Sequence, residues 1–456
     1  MDDDKDSVVF RVLMFPWLAH GHISPFLELS KELTKKNFKI YFCSTPIILE
    51  FIKENLDENY LSDQCIELVE FHLPELPELP AHYHTTKNLP PHLISTLINS
   101  YENSMPIFSK IINNLNPDLL IYDGFQSWAP ALATKNDIPC VHFSTTGAAV
   151  MALYYHLLNF GFDSHDSFPF SAIFQTERER KIIQALFEAN EGVDEVLARC
   201  FEQSSEFVLI KSLREIEEKY LDYLSILSGK KIVTLGPLIE ESNHNDENND
   251  HVDIIEFLNK KDQSSVVYVS FGSEYFLSKE EMEEIARGLE LSNVNFIWVI
   301  RFPLGNKIGI EEALPEGFLE RVKKRGMVVE GWAPQAKILE HSSTGGFLSH
   351  CGWSSALESF YFGVPLIAMP IHLDQPTIAR FAVEISVGLE VLRDENGNIE
   401  GEEIAEVIKM VVLDPKTGEE MRGKARELRK KLREKGEEEL HVALEELRNL
   451  CIKNKK

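Results

Sequence analysis

The chain of 456 residues carries 46 Lys and Arg against 73 Asp and Glu, a formal net charge of −27 at pH 7. That length predicts two domains rather than one core, and 44% hydrophobic with 26% charged residues is the composition of a soluble globular protein. The acidic balance argues against binding a nucleic-acid backbone, which needs clustered cations, and no run of 18 apolar residues predicts a membrane span.

In chain order, the opening MDDDKDS is acidic and lacks an apolar signal region, so a cytoplasmic location is expected. Six cysteines (Cys43, Cys65, Cys140, Cys200, Cys351, Cys451) scatter without a CxxC pair and read as reduced thiols. Strands predicted at 8–15, 39–44, 118–122, 139–143 and 206–210 alternate with helical patterns, the mark of a parallel sheet with crossover helices. His22 follows the first of these strands and precedes a helix beginning near Ser24-Pro25. Open α/β sheets bind ligands at such strand ends. An imidazole titrates near neutrality, which suits a general base, and His20 is its nearest competitor. A neutral His base needs its second ring nitrogen held, and Asp123 stands at the end of another predicted strand. The proline-rich segment 72–92 predicts a long loop; His82 and His84 within it have no evident third ligand, so no metal site is expected. Gly236-Pro237 closes the first half, and the polar, acidic ESNHNDENND (241–250) reads as a linker.

The second half predicts strands at 265–271, 296–300, 326–330, 345–349 and 365–369, and it holds the most informative stretch, Trp332 to Gln375. Strand GGFLS ends at His350-Cys351-Gly352, and Trp353-Ser354-Ser355 opens a helix to about Phe362. Backbone N–H groups and the dipole at such a helix start favour an anion. Glu358 lies one turn further on the same face, where a carboxylate suits a ribose diol. Trp332 offers a flat face for a base, and the apolar VPLIAMP delivers Asp374 and Gln375, a carboxylate and an amide suited to sugar hydroxyls. Singly, these residues could be a core aromatic, a solvated acid and a plain helix cap. Their joint order specifies an activated nucleotide sugar. The charged tail from Glu419 to Lys456 predicts an amphipathic helix.

The 44-residue box Trp332–Gln375, with LAHGHISPFLELSKEL and YVSFGS (268–273), resembles plant family 1 UDP-sugar-dependent glycosyltransferases. The resemblance implies the GT-B arrangement, two Rossmann-like α/β domains facing across a cleft. The expected boundaries are 1–238 for the acceptor domain, 239–252 for the linker and 253–437 for the UDP-sugar domain. Residues 438–456 are expected to form a helix returning to the first domain. It also implies site roles. Trp332 stacks on uracil, Gln335 and Glu358 hold the uridine, and Ala333 lies in the same donor loop. His350, Ser355 and Ser273 contact the diphosphate at the Gly352 helix start, while Trp353, Asp374 and Gln375 address the sugar. The family usually has Asn where this chain has Ser354, which shortens that contact. A terminal Gln, as at Gln375, goes with glucose donors, so UDP-glucose is the expected co-substrate.

His22 matches the family's base and Asp123 its orienting acid, and the N-terminal domain supplies the acceptor pocket, with Phe143, Ser144, Thr145, Thr146 and the 72–92 loop as candidate walls. No strand-end DxD motif occurs, so neither metal nor other cofactor is expected. Phosphate charge would be met by the helix dipole, His350 and hydroxyls. The motifs resemble the branch that adds sugar to a sugar of lipophilic flavonoid or terpenoid glycosides. The expected form is a monomer with no nucleic-acid partner. Glucosylation of a bare aglycone, or UDP-sugar binding without catalysis, are the alternatives. Nicotinamide, GxSxG-hydrolase and P-loop classes lack their motifs.

Overall fold

The computed structural model describes residues 8–62, 64–189, 199–239, 252–303, 308–394 and 396–455. It divides into two compact units. The first gathers the described residues up to Phe168, Arg180–Leu238 and the chain from Lys435 onward; the second takes Pro169–Glu179 and Ile239–Glu434. Sequence patterning assigned residues 169–179 to the first domain, and their packing puts them in the second. Most of the expected linker, 240–251, lies outside the described residues.

In the first unit seven strands form one sheet: β1 (Phe10–Phe15), β2 (Phe38–Ser44), β3 (Ile66–Glu70), β4 (Leu119–Tyr122), β5 (Cys140–Ser144), β6 (Phe207–Ile210) and β7 (Lys231–Thr234). Their order is β3-β2-β1-β4-β5-β6-β7, with every pairing parallel. The second unit repeats the plan with β8 (Val266–Ser270), β9 (Asn295–Ile300), β10 (Gly326–Glu330), β11 (Thr344–Ser349), β12 (Leu366–Ala368) and β13 (Gly388–Glu390), in the order β10-β9-β8-β11-β12-β13. Such sheets bury both faces under helices, so LLIY of β4 and FVLI of β6 are buried at every position. Each order reverses direction once, between β1 and β4 and between β8 and β11. Ligands bind outside the strand ends at such a reversal, because the connecting helices there leave in opposite directions and open a crevice.

Aromatic rings pack the first core: Phe15 stacks on Phe108 at 4.2 Å and meets Phe71 edge-on at 5.2 Å. Helix Ala148–Phe160 begins at Gly147, which has no capping side chain. Instead the buried Glu217 carboxylate accepts from Ala148 N at 3.0 Å, from Ala149 N at 2.7 Å and from the Ser212 hydroxyl. One helix, Thr417–Asn454, forms the tail. Its Leu444, Leu447, Leu450 and Cys451 are buried in the first unit's core, and Arg448 donates to Lys36 O at 3.1 Å. All six cysteines are free thiols. Among the described residues no helix is long and apolar enough to cross a membrane.

Candidate active site

At the reversal in the first unit, β1 runs through Pro16–Ala19 into helix His20–Thr34, and His22 sits in that helix's first turn. β4 ends at Tyr122, and the next residue is Asp123, almost wholly buried. Their side chains meet: His22 Nδ1 lies 2.7 Å from Asp123 Oδ2. The carboxylate also accepts from Trp17 N at 3.2 Å and Gly124 N at 2.6 Å. Burial pushes the Asp123 carboxyl up, but the His22 charge and hydrogen bond, the neighbouring His142 and the Trp17 N–H outweigh it and hold the group below its usual range. An ionised Asp123 therefore accepts a hydrogen bond from Nδ1–H, which keeps that proton on Nδ1 and leaves the Nε2 lone pair of His22 as the basic atom. Thr145 Oγ1 is 3.1 Å from the same Nδ1, a second anchor that strand spacing alone did not reveal.

Two neighbours complete this end of the unit. Phe125 stacks on Trp17 at 4.7 Å and stands edge-on to His22 at 5.7 Å. His142, on β5, is buried with Nδ1 unpartnered, and burial drives its pKa down to about 4. Of the expected acceptor walls, Thr145 reaches His22, Ser144 Oγ makes a long 3.5 Å bond to Thr146 O, and Thr146 is half-buried. Phe143 belongs elsewhere. Its ring is fully buried and packs on Phe26 at 4.8 Å, so it is core and not wall. The 72–92 loop is pinned near the His20 helix by Thr85 Oγ1 to Leu18 O at 3.1 Å and Thr86 N to Leu18 O at 3.0 Å. His84 Nε2 there is spent on Leu79 O at 3.1 Å.

At the reversal in the second unit, β8 leads to Gly272-Ser273 and β11 to His350-Cys351-Gly352, before helix Trp353–Phe362. Cys351 takes a left-handed φ of 68° to make the turn. Gly352 at the cap position has no side chain to cap the helix, whose first turn is Trp353, Ser354 and Ser355. The His350 ring is wedged between two glycines: a Cβ added at Gly272 or at Gly352 would fall 2.7 Å from ring atoms. Burial, with His372 adding to it, lowers the His350 pKa to about 4. At neutral pH the imidazole is therefore uncharged, so His350 brings no positive charge to this turn. A cation that sequence reading did not single out stands beside the same loop: Arg301, at the end of β9, donates to Gly272 O at 3.2 Å.

Gln335 Nε2 donates to Glu358 Oε2 at 2.8 Å and lies 3.4 Å from Ser355 Oγ, joining three residues of the expected nucleotide grip. Ala333 is buried next to Trp332, which is 65% exposed, a high value for so large an aromatic residue. Trp353 is the reverse: its side chain is buried against Phe381 at 6.0 Å, which leaves its backbone N–H as the group at the helix start. Asp374 stands immediately before helix Gln375–Glu384, and its side chain makes no capping hydrogen bond to it. Gln375 is buried, and its Oε1 accepts from Ile371 N at 2.9 Å and His372 N at 3.1 Å.

A family described as "UDP-glucoronosyl and UDP-glucosyl transferase" matches residues 238–422, and one described as "Glycosyltransferase, N-terminal domain" matches residues 6–240. The chain is 51% identical to UDP-glucosyltransferase 29 of Panax ginseng over 99% of each chain. It is 52% identical to a mogroside IIIx synthase of Siraitia grosvenorii, over 94% of this chain and 95% of that one. Identity to the beta-D-glucosyl crocetin beta-1,6-glucosyltransferase of Gardenia jasminoides is 49%, over 96% and 98%. The Glycyrrhiza uralensis enzyme UGT73P12, solved with glycyrrhetinic acid 3-O-monoglucuronide, shares the fold at a TM-score of 0.84 and 21% identity, over 98% and 97%. The fold is that of the two-Rossmann GT-B transferases. The chain belongs to the plant family 1 UDP-dependent glycosyltransferases.

Proposed function

We propose that this enzyme transfers glucose from UDP-glucose, with inversion and without a metal ion, to a sugar hydroxyl of a lipophilic plant glycoside. His22 Nε2 takes the proton of the acceptor hydroxyl as its oxygen attacks the anomeric carbon. The bond from that carbon to the β-phosphate oxygen breaks, and UDP departs with the electron pair. Asp123 keeps the His22 tautomer and stabilises the imidazolium as it forms. Leaving-group charge falls on the N–H groups at the start of helix Trp353–Phe362, on the Ser273 and Ser355 hydroxyls and on the His350 N–H. Trp332, Gln335 and Glu358 hold the uridine, and Asp374 and Gln375 meet the glucose.

The observation that carries this reading is the 2.7 Å His22–Asp123 contact at the end of adjacent strands β1 and β4. Sugar-on-sugar transfer is supported by the relatives' names, one of which acts on a glucosyl crocetin. The test supplies UDP-glucose with monoglucosides and their bare aglycones, in the presence of EDTA, and reads the product by NMR. The expected product is a diglucoside with a β linkage. Preference for bare aglycones, an α linkage, or activity abolished by EDTA would each overturn the corresponding part.

A further inference from the structure

Residues 169–179 reach the second unit from the middle of the first unit's sequence, and their contacts there are specific. Ile173 is fully buried, and its turn, Ser171–Ile173, packs on helix Gln375–Glu384. Gln175, also buried, donates Nε2 to Thr377 Oγ1 at 3.3 Å, two residues beyond Gln375 in that helix's first turn. Glu179 receives both terminal guanidinium nitrogens of Arg380, each at 2.8 Å. Its carboxylate also accepts from Thr176 N at 2.7 Å, which fixes the start of helix Glu177–Ala189. Arg178 donates to Asn396 O at 2.8 Å and fills the space over Gly397, where an added Cβ would lie 0.8 Å from the guanidinium. From the same turn, Arg393 donates to Gly397 O at 3.1 Å and to Pro370 O at 2.9 Å. Pro370 precedes the Ile371-His372 backbone that Gln375 holds.

The strap thus grips both ends of one short loop, Pro370–Gln375: directly through the helix that follows it, and through Asn396 and Arg393 at its head. We propose that Gln175, Arg178 and Glu179, with Arg380, are positioning residues for donor-sugar recognition, setting where Asp374 and Gln375 stand. The proposal rests on the reading that those two residues address the glucose. A planar, two-point Arg–carboxylate pair fixes orientation as well as distance, and misplacing a contact residue by a fraction of an ångström weakens a polar grip. Because the Gln375 amide is already engaged by the Ile371 and His372 N–H groups, helix and loop shift together.

Calorimetry with UDP and with UDP-glucose separates the sugar's contribution from that of the nucleotide. Gln175→Leu and Arg380→Gln are expected to weaken UDP-glucose roughly 2- to 30-fold while UDP binds as before, with Arg380→Lys recovering part of the loss. Asp374→Ala and Gln375→Ala serve as references and should lose the same sugar-dependent increment. A wild-type UDP-glucose to UDP ratio in the strap variants alone, whatever their melting temperature, would show a merely structural segment and overturn the proposal. An unchanged ratio in the Asp374 and Gln375 variants too would overturn the sugar assignment itself, and the strap proposal with it. Should Arg380→Gln fail to fold, Gln175→Leu, which removes the hydrogen bond to Thr377 and keeps the volume, decides the matter.

Discussion

His22 has two anchors on one ring nitrogen, and they differ in kind: a buried carboxylate and a threonine hydroxyl. Asp123→Asn keeps the shape but removes the charge that holds the proton on Nδ1, and should lower kcat by about 10²–10⁴-fold. Thr145→Val removes one neutral hydrogen bond, worth about 0.5–1.5 kcal/mol, and should cost no more than about tenfold. Equal losses in steady-state kinetics would contradict this ranking. His142 and His350 both have a folded pKa near 4, below the ordinary value of 6.5. A depressed histidine favours folding above pH 6.5, and that advantage drains away as pH falls from 6.5 toward 4, because the unfolded chain takes up the proton first. His142→Phe should therefore flatten the fall in denaturant-derived stability across that window, by up to about 3 kcal/mol. A slope identical to the wild type would show that His142 is not held neutral. Residue pairing of this kind was only partly legible in the sequence. His22 and Asp123 stand at strand ends, which patterning exposes. The Thr145 contact depends on which face of β5 meets helix His20–Thr34, and no spacing encodes it.

Among elements, the missed strands share one cause. β3, β7 and β13 are all edges of their sheets, and they are short or carry charge, as IELVE, KIVT and GLE do. An edge strand has only one neighbour and less to bury, so its composition drifts from the apolar run that marks a central strand. The interior strands flanking both reversals were legible for the opposite reason. Helix starts divide likewise. Helix Lys279–Ser292 is held by a local Ser278/Glu281 capping box, a pattern the sequence carries but sequence reading did not single out, whereas helix Ala148–Phe160 relies on Glu217, 68 residues beyond Ala149. That distant cap leaves no local signal. Glu217→Ala would strand two buried N–H groups and the Ser212 hydroxyl, and should destabilise the fold by roughly 2–4 kcal/mol in thermal or denaturant unfolding. An effect under about 0.5 kcal/mol would mean that water satisfies the helix start.

At the scale of the whole molecule, a net charge of −27 opposes the approach of an anionic donor. Local features must overcome that field, and with His350 neutral they reduce to helix N–H groups, hydroxyls and the nearby Arg301. Raising ionic strength from 0.01 to 0.15 M shortens the screening length from about 30 to about 8 Å and should speed UDP association in stopped-flow experiments. Slower association with added salt would place the dominant field in local cations instead. Two units were legible from length and alternation, but the second unit's claim on residues 169–179 was not, since it is made by packing on a helix about 200 residues further along the chain. The account as a whole stands on base and donor grip being separable, each built at its own sheet's reversal. The most direct measurement is His22→Ala, assayed for glucosyl transfer and titrated with UDP in parallel. The account predicts transfer reduced by at least about 10²-fold with UDP affinity unchanged; transfer at the wild-type rate would contradict it.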